Sequence, residues 1–436
     1  MKRGTLRTLC ALGLVLLTAP GASRARAESH VGHDGAGILR LAELVTEVRE
    51  RNPEVQAARD RTRAMAALPD QVSALDDPTL SYEAWNIPDS LRIDKADNNI
   101  FRLSQKFPFP GKRRLAGDIA LHEAERAAHE EGTVELDVVA AVKVAYYDLW
   151  QEHERLAVLQ REQELLERFA HVAEQKYGVG AATQADVLRA QSELTHVLTQ
   201  LQTAPLRIES ARAELNALLS RAPDAPLGAP EHPPAPQLDL SPAALADLAL
   251  ANRPELAAQS SAIAREESAE ELARKNYYPD FEISVGRFVN YGQNDGFGAL
   301  ASVTLPFVNG KKYDAGVAEA DARLSAARSG RRRLEDRTRR EVQQAYLKAK
   351  AALLEYRLFA DTHVPQAEQT LRVAQGAYEA GQLGFLDLVD TLRRIESVHL
   401  DHIAAQGDFE RAYAELERVV GAELPRATTA EGASRG

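Results

Sequence analysis

The sequence predicts a mainly α-helical protein with a small β part, built from two copies of one helix–strand–strand–long helix–long helix repeat. The stretch YGVGAATQADVL, which begins at Tyr177, returns 201 residues later as YEAGQLGFLDLV, which begins at Tyr378. In each copy a Gly follows the Tyr after three residues and an Asp follows it after nine. A Gly that ends one helix, with an Asp starting the next, is typical of a tip between two helices.

The helix that follows each tip supports the duplication. From Val187 to Leu218, ten positions spaced three and four residues apart are all apolar, as in a coiled-coil seam. The positions 201 residues further on, from Leu388 to Val419, are apolar in eight cases out of ten. Two seams in one register indicate an internal repeat, which must be recognised before the fold is assigned.

Residues 1–27 have the features of a secretory signal peptide. Basic residues near the start precede an apolar run to about Leu17, and Ala25-Arg26-Ala27 offers a cleavage site between small residues. The only cysteine, Cys10, lies in this segment, and Leu9 before it fits a lipid-attachment site poorly. We therefore expect a mature chain without lipid, disulfide or cysteine–metal chemistry.

The mature chain is acidic. Cleavage after Ala27 leaves 48 Lys and Arg against 64 Asp and Glu, a net charge of −16, which disfavours nucleic acid as a partner. Residues 28–38 are interpreted as a flexible leader, in which contact of His30 and His33 with a metal remains an open question. No cofactor and no metal site are expected elsewhere.

The first repeat is assigned to residues 39–220 and the second to residues 243–424. Each opens with a helix, predicted over Leu39–Leu68 and over Ala243–Lys275. The first of these helices is expected to break near Pro53, and Arg253-Pro254 occupies the matching position in the second repeat. Each then has two strands and a helix of about 65 residues, Lys112–Lys176 and Lys311–Ala377. Residues 221–242 form a Pro-rich linker and residues 425–436 a disordered tail.

The strands show one apolar and one polar face. Phe281, Ile283 and Val285 alternate with polar or small residues, and the alternation continues through Ala299, Ala301, Val303 and Leu305. The first repeat has its own pair, Leu80–Ala84 and Ile100–Phe107. Segments of about ten alternating residues suit a transmembrane β-barrel, but two soluble hairpins below a helical domain remain an equal alternative from the strands alone.

The layout, the two YxxG(x5)D tips and the export signal together resemble the TolC family of outer-membrane efflux proteins. The resemblance covers about residues 39–424. It implies a homotrimer in which each chain gives four strands to one 12-stranded barrel in outer-membrane lipid. Below the barrel, long helices would form a coiled-coil tunnel across the periplasm, which docks through a periplasmic adaptor protein onto an inner-membrane efflux pump.

The resemblance also implies roles for the tips. Asp387 and Asp390 lie three residues apart on one helix face and would line the closed entrance, where threefold symmetry brings six carboxylates together. The predicted entrance gate comprises Asp387, Asp390, Asp186 and Tyr378. Tyr177, Gly180, Tyr378 and Gly381 are the predicted adaptor-docking residues.

Two features leave the tip roles open. Helix capping is the alternative for Asp387, because Asp186 holds the matching place in the first repeat. Arg189 matches Asp390, so capping does not explain that aspartate. Leu383 stands where some family members carry an Arg that locks the entrance by pairing with the first-tip Asp.

The sequence therefore predicts an outer-membrane conduit of a tripartite efflux system that catalyses nothing, with metal cations or small organic molecules as cargo. No nucleophile–base pair, phosphate loop or clustered metal ligands indicate an enzyme. The alternatives are a soluble periplasmic coiled-coil scaffold and the outer-membrane conduit of a one-step protein secretion system.

Overall fold

The computed structural model describes residues 37–87, 89, 91, 93, 96–290 and 294–426. The predicted signal peptide, His30, His33 and residues 427–436 lie outside these ranges. Among the helices so described, none combines the length and the apolar character that a membrane-crossing helix needs.

The first repeat begins with three short helices, continues through two strands and ends in two long helices. The break predicted near Pro53 is confirmed, since Asn52 ends one helix and its Oδ1 caps the next by accepting from the Glu54 N–H at 2.8 Å. The long helix that comes after the two strands has 67 residues and is unbroken. The elements are α1 (Leu41–Arg51), α2 (Pro53–Ala66), α3 (Leu68–Ser73), β1 (Thr79–Trp85), β2 (Asn98–Phe107), α4 (Lys112–Gly178) and α5 (Gln184–Leu218).

The second repeat has the same overall order with two differences: it opens with two helices where the first repeat has three, and its long helix contains a π-helical turn. Its elements are α6 (Pro242–Asn252), α7 (Pro254–Lys275), β3 (Phe281–Asn290), β4 (Gly296–Val303), α8 (Gly310–Leu358), α9 (Val364–Glu379) and α10 (Phe385–Val420). The long helix predicted over Lys311–Ala377 is present, but an unpredicted π-helical turn, Phe359–His363, divides it into α8 and α9.

The π-helical turn has two causes in the sequence. Pro365 has no N–H for the carbonyl of Asp361, and its ring crowds that carbonyl. The second repeat also carries one extra residue here: the buried residues Ala145 and Ala345 are 200 apart, whereas Ala173 and Ala374 are 201 apart. A π turn absorbs one inserted residue without ending the helix.

The four strands form one antiparallel sheet in the order β1-β2-β3-β4. Strands β2 and β3 come from different repeats and pair from Asn98 with Asn290 to Phe107 with Phe281. The sheet is open, so β1 and β4 each present an edge without a partner in the described chain. A single protomer therefore leaves two rows of backbone donors and acceptors to be satisfied elsewhere.

The two faces of the sheet differ in polarity, as predicted. On one face Leu80 is 72% exposed, Ile283 53% and Phe297 82%. On the other face Ser104 Oγ and Ser284 Oγ lie 2.9 Å apart. Ser284 lies on the polar face, as expected, but it is only 2% exposed, so this position has no room for a larger side chain.

The helices bury three apolar clusters, and most of the predicted apolar seam residues lie in them. One cluster belongs to the first repeat, around α1, α4 and α5, and a second to α6, α8 and α10. The third lies at the tips and combines both repeats, with Leu166 and Phe169 from α4, Val197 from α5, and Phe385 and Leu388 from α10. The two tips therefore pack as one unit.

The chain folds back after α10 onto a buried carboxylate. Glu410 is 0% exposed, and Arg426 Nη2 lies 2.7 Å from its Oε2. The guanidinium of Arg426 also lies 4.7 Å from the ring centroid of Tyr413, and the Tyr147 hydroxyl hydrogen-bonds Glu410. Together these contacts attach residues 421–426 to α4 and α10.

Candidate functional site

The first tip is a tight turn closed by a capping box. Gly180 has a φ of +74°, a conformation that glycine adopts without strain, and the Ala181 N–H donates to the Lys176 carbonyl at 2.7 Å. Thr183 then starts α5: its Oγ1 accepts from the Asp186 N–H at 3.3 Å, and Asp186 Oδ2 accepts from the Thr183 N–H at 3.0 Å. The carboxylate of Asp186 is thus used to start a helix.

The second tip has the same turn but no capping box. Gly381 has a φ of +73°, and the Gln382 N–H donates to the Ala377 carbonyl at 2.8 Å. Gly384 occupies the N-cap position that Thr183 holds in the first tip, and α10 has no side-chain cap. Asp387 is therefore not part of a capping box, and its exposed carboxylate lies in the first turn of α10, where the helix dipole favours negative charge.

The two tip tyrosines occupy different environments. Tyr177 is 49% exposed, whereas Tyr378 is 4% exposed and packs edge-on against Phe385 with ring centroids 5.6 Å apart. Lys176 Nζ lies 4.3 Å from the Tyr378 ring centroid and donates to the Tyr378 carbonyl. The structure therefore places Tyr378 inside the tip cluster and displays Tyr177 on the surface.

The four predicted gate residues form two pairs, one between the tips and one within α10. Burial raises the pKa of the Tyr378 hydroxyl, and the negative charge of Asp186 raises it further, so these two residues of different tips are within electrostatic range. Asp387 and Asp390 are both exposed and lie one helical turn apart on α10. The predicted aspartate pair thus faces solvent.

An ion-pair chain that sequence reasoning missed begins at Asp390. Its Oδ1 lies 3.9 Å from Arg393 Nη1. Arg393 in turn binds Glu193 of α5 through two contacts: its Nε lies 3.0 Å from Glu193 Oε2, and its Nη2 makes a shorter contact with Glu193 Oε1. The hydrogen bonds that Arg393 donates to the Glu193 carboxylate raise the pKa of Arg393. The sequence showed only that Glu193 and Arg393 carry opposite charges on the two returning helices.

No group of three or more His, Cys, Asp or Glu side chains able to hold a metal ion occurs within residues 37–426 as far as they are described. The tips expose charge at Asp387 and Asp390 and apolar surface at Val179.

An open sheet with an exposed apolar face, carried on long paired helices with charged tips, defines a channel-type protein of the outer membrane. The family comparison specifies this class further. The model of the outer membrane efflux protein family matches residues 44–221 and again residues 245–422, so the chain belongs to that family. The two matches also correspond to the two repeats.

Individual relatives agree with this family. The chain is 23% identical over 361 residues to the cobalt-zinc-cadmium resistance protein CzcC of Cupriavidus metallidurans, covering 80% of this chain and 82% of that protein. It is 26% identical over 291 residues to the fusaric acid resistance protein FusA of Burkholderia cepacia, covering 63% of this chain but only 52% of FusA.

A solved structure shows the same fold. The outer membrane protein VceC of Vibrio cholerae superposes with a TM-score of 0.71 at 18% identity, covering 88% of this chain and 96% of VceC. The mainly helical architecture with a small sheet is therefore confirmed, and the chain is an outer-membrane efflux channel that extends into the periplasm.

Proposed function

We propose that three copies of this chain form one outer-membrane conduit whose barrel contains twelve strands. The open sheet is the observation that carries this proposal. Edges β1 and β4 leave backbone groups without partners, and an unpaired edge in lipid costs several kcal/mol per group. Pairing β4 of one copy with β1 of the next satisfies both edges and turns the exposed apolar face, with Leu80, Ile283 and Phe297, toward lipid.

The conduit works with a periplasmic adaptor and an inner-membrane pump, which contact it at the tips. Surface features of the tips support this part of the proposal. Val179 is 80% exposed and Tyr177 49%, and nothing in the described chain lies within 4 Å of a Cβ built on Gly180 or Gly381. Partner helices can approach the backbone closely at such positions.

Divalent metal cations are the cargo that we favour. The relative matched over most of both chains is named for cobalt, zinc and cadmium resistance. Asp387 and Asp390 would form a ring of six carboxylates at the threefold axis, and such a ring attracts cations. Small organic molecules are the second candidate, supported by the shorter match to the fusaric acid resistance protein.

Cysteine cross-linking tests the trimer. The chain has one cysteine, Cys10, in the predicted signal peptide, so introduced cysteines have little background. We fix one cysteine at Tyr82 of β1 and move a second along β4, through Phe297, Ala299 and Ala301, then add a short bis-maleimide to isolated outer membranes. The expected product is a ladder that ends at three times the protomer mass.

A matched control places the two cysteines at Leu103 and Val285, which face each other within one sheet. This pair is expected to cross-link without a change of mass. A protein that yields only protomer-mass products at every β4 position, or that fractionates with the soluble periplasm, contradicts the proposal.

A further inference from the structure

A pair of carboxyl groups, one buried and one half-buried, lies between the two repeats above the tips. Glu162 of α4 is 9% exposed and hydrogen-bonds Glu396 of α10, while its Oε2 has no hydrogen-bond partner among the described residues. Both side chains border a cavity of about 110 Å³ between the helices. Two ionised carboxylates in contact repel each other, so the contact requires a proton held between them.

The cations near this pair are shared with other groups. Glu193 of α5 adds a third negative charge, and Arg393 of α10, which feels the charge of Glu396, is also engaged with Glu193 and Asp390. The remaining charged groups that face the site come from three helices: Arg161 of α4, Glu368 of α9, and His399 of α10, whose Nε2 lies 4.0 Å from Glu368 Oε1.

These surroundings determine which groups hold protons. Burial first, and then the charges of Glu396 and Glu193, together raise the pKa of Glu162 to about 8. Burial lowers the pKa of His399, and the positive charge of Arg161 lowers it further. The imidazole is therefore neutral when Glu162 titrates, and the shared proton alone holds the two carboxyl groups together.

The second repeat has a flexible joint at the same height. The 201-residue offset that applies at the tips places His363, the last residue of the π-helical turn, opposite Glu162. A π turn weakens the helical hydrogen-bond ladder and is a common site of bending. The segment below it, α9 with the tip and the first half of α10, can therefore change its angle while α8 stays in place.

We propose that the Glu162–Glu396 pair is a proton latch that joins the two repeats above the tips. Loss of its proton separates α10 from α4, and the segment below the π-helical turn moves outward and widens the periplasmic entrance. This inference rests on the proposed conduit, in which α10 lines that entrance. The sign follows from the titration: a raised pKa stabilises the latched form at low pH, and this stabilisation is lost as the pH rises through about 8.

The test measures conductance in planar bilayers and hydrogen exchange in parallel. For a group with a pKa of about 8 the protonated fraction falls about tenfold between pH 7 and pH 9. The wild-type conductance is expected to rise along that titration, with a midpoint near pH 8. Glu162→Gln, whose amide donates a permanent hydrogen bond to Glu396, is expected to stay at the low level at every pH.

Hydrogen exchange reports on the latch independently of conduction. The measured quantity is the ratio of the backbone amide exchange rate of residues 385–400 in the wild type to the rate in Glu162→Gln at the same pH. This ratio is expected to rise from pH 7 to pH 9. Glu396→Gln serves as a second latch variant should Glu162→Gln fold poorly. Glu164→Gln is the matched control, because Glu164 is exposed on the same helix, and it is expected to keep the full pH response.

The outcomes are distinguishable. If wild type and both latch variants exchange equally at all pH values, the latch does not exist. If exchange differs but conductance does not change with pH, the pair holds the helices without controlling the entrance, and the gating claim is wrong. If no variant conducts at all, the conduit proposal fails, while hydrogen exchange still decides whether the latch exists.

Discussion

Replacing Arg426 with Ala is expected to destabilise the protein by about 3–5 kcal/mol, the usual effect of removing one partner of a buried ion pair. Glu410 is 0% exposed, and Arg426 is the cation that contacts it at 2.7 Å. Without Arg426 the carboxylate keeps one hydrogen bond from Tyr147 and has no compensating positive charge. The double variant Glu410→Gln/Arg426→Ala is expected to recover most of the loss, because a neutral amide tolerates burial better.

The loss is also expected to depend on pH. Burial already raises the pKa of Glu410, and Arg426 opposes that rise. In Arg426→Ala the pKa rises further, so Glu410 takes up a proton when the medium is acidic. A group whose folded-state pKa is raised stabilises the fold at low pH and loses that effect as the pH rises. The defect of Arg426→Ala should therefore be smaller at pH 5 than at pH 8.

The assay is thermal unfolding of the detergent-purified protein, followed by circular dichroism at one fixed scan rate. Arg274→Ala is the matched control, because Arg274 is 63% exposed and pairs with Glu270 one turn away on the surface of α7. Such a pair contributes at most about 0.5 kcal/mol. Equal shifts for Arg426→Ala and Arg274→Ala, or no recovery in the double variant, would refute the reasoning.

Two further predictions concern the entrance and the sheet. Asp387→Ala/Asp390→Ala is expected to keep the trimer. In planar bilayers it is expected to lose most of its cation selectivity and most of its block by trivalent cations. Unchanged block would mean that these aspartates do not line the pore. Ala301→Asp is expected to prevent outer-membrane assembly, since a charge on the lipid face of a barrel strand is destabilising, whereas Ser302→Asp on the polar face assembles normally. Immunoblots of membrane fractions distinguish the two, and equal behaviour would invalidate the assignment of the faces.

The order of the elements was predictable because the duplication repeats each local signal. Asn52-Pro53 both ends one helix and caps the next, and strand alternation assigned Ile283 and Ser284 to opposite faces. The π-helical turn was not predicted, because a single inserted residue hardly changes an apolar pattern with a spacing of three and four. Pro365, whose missing N–H disturbs the helix, was the signal that could have shown it.

The site was harder to predict than the fold, because its chemistry depends on contacts between helices. The match between Asp186 and Asp387 suggested equal roles, but Thr183 forms a capping box and Gly384 does not. The burial of Tyr378 likewise depends on Phe385, which lies across the tip. To predict contacts between the repeats, such as that of Arg393 with Glu193, one must know the relative height of the two helices to within one turn. The sequence alone does not supply that height.

The pairing of β2 with β3 has an evolutionary consequence. These strands belong to different repeats, yet they pair as extensively as the strands within each hairpin. A half-length ancestor with a single hairpin would need six identical subunits to supply twelve strands, and all six of its tips would be the same. Fusion of two halves into one chain frees alternate tips to diverge, so that Arg189 can stand where the other copy has Asp390. Gene duplication thus allows a ring in which stationary and mobile tips alternate around the axis.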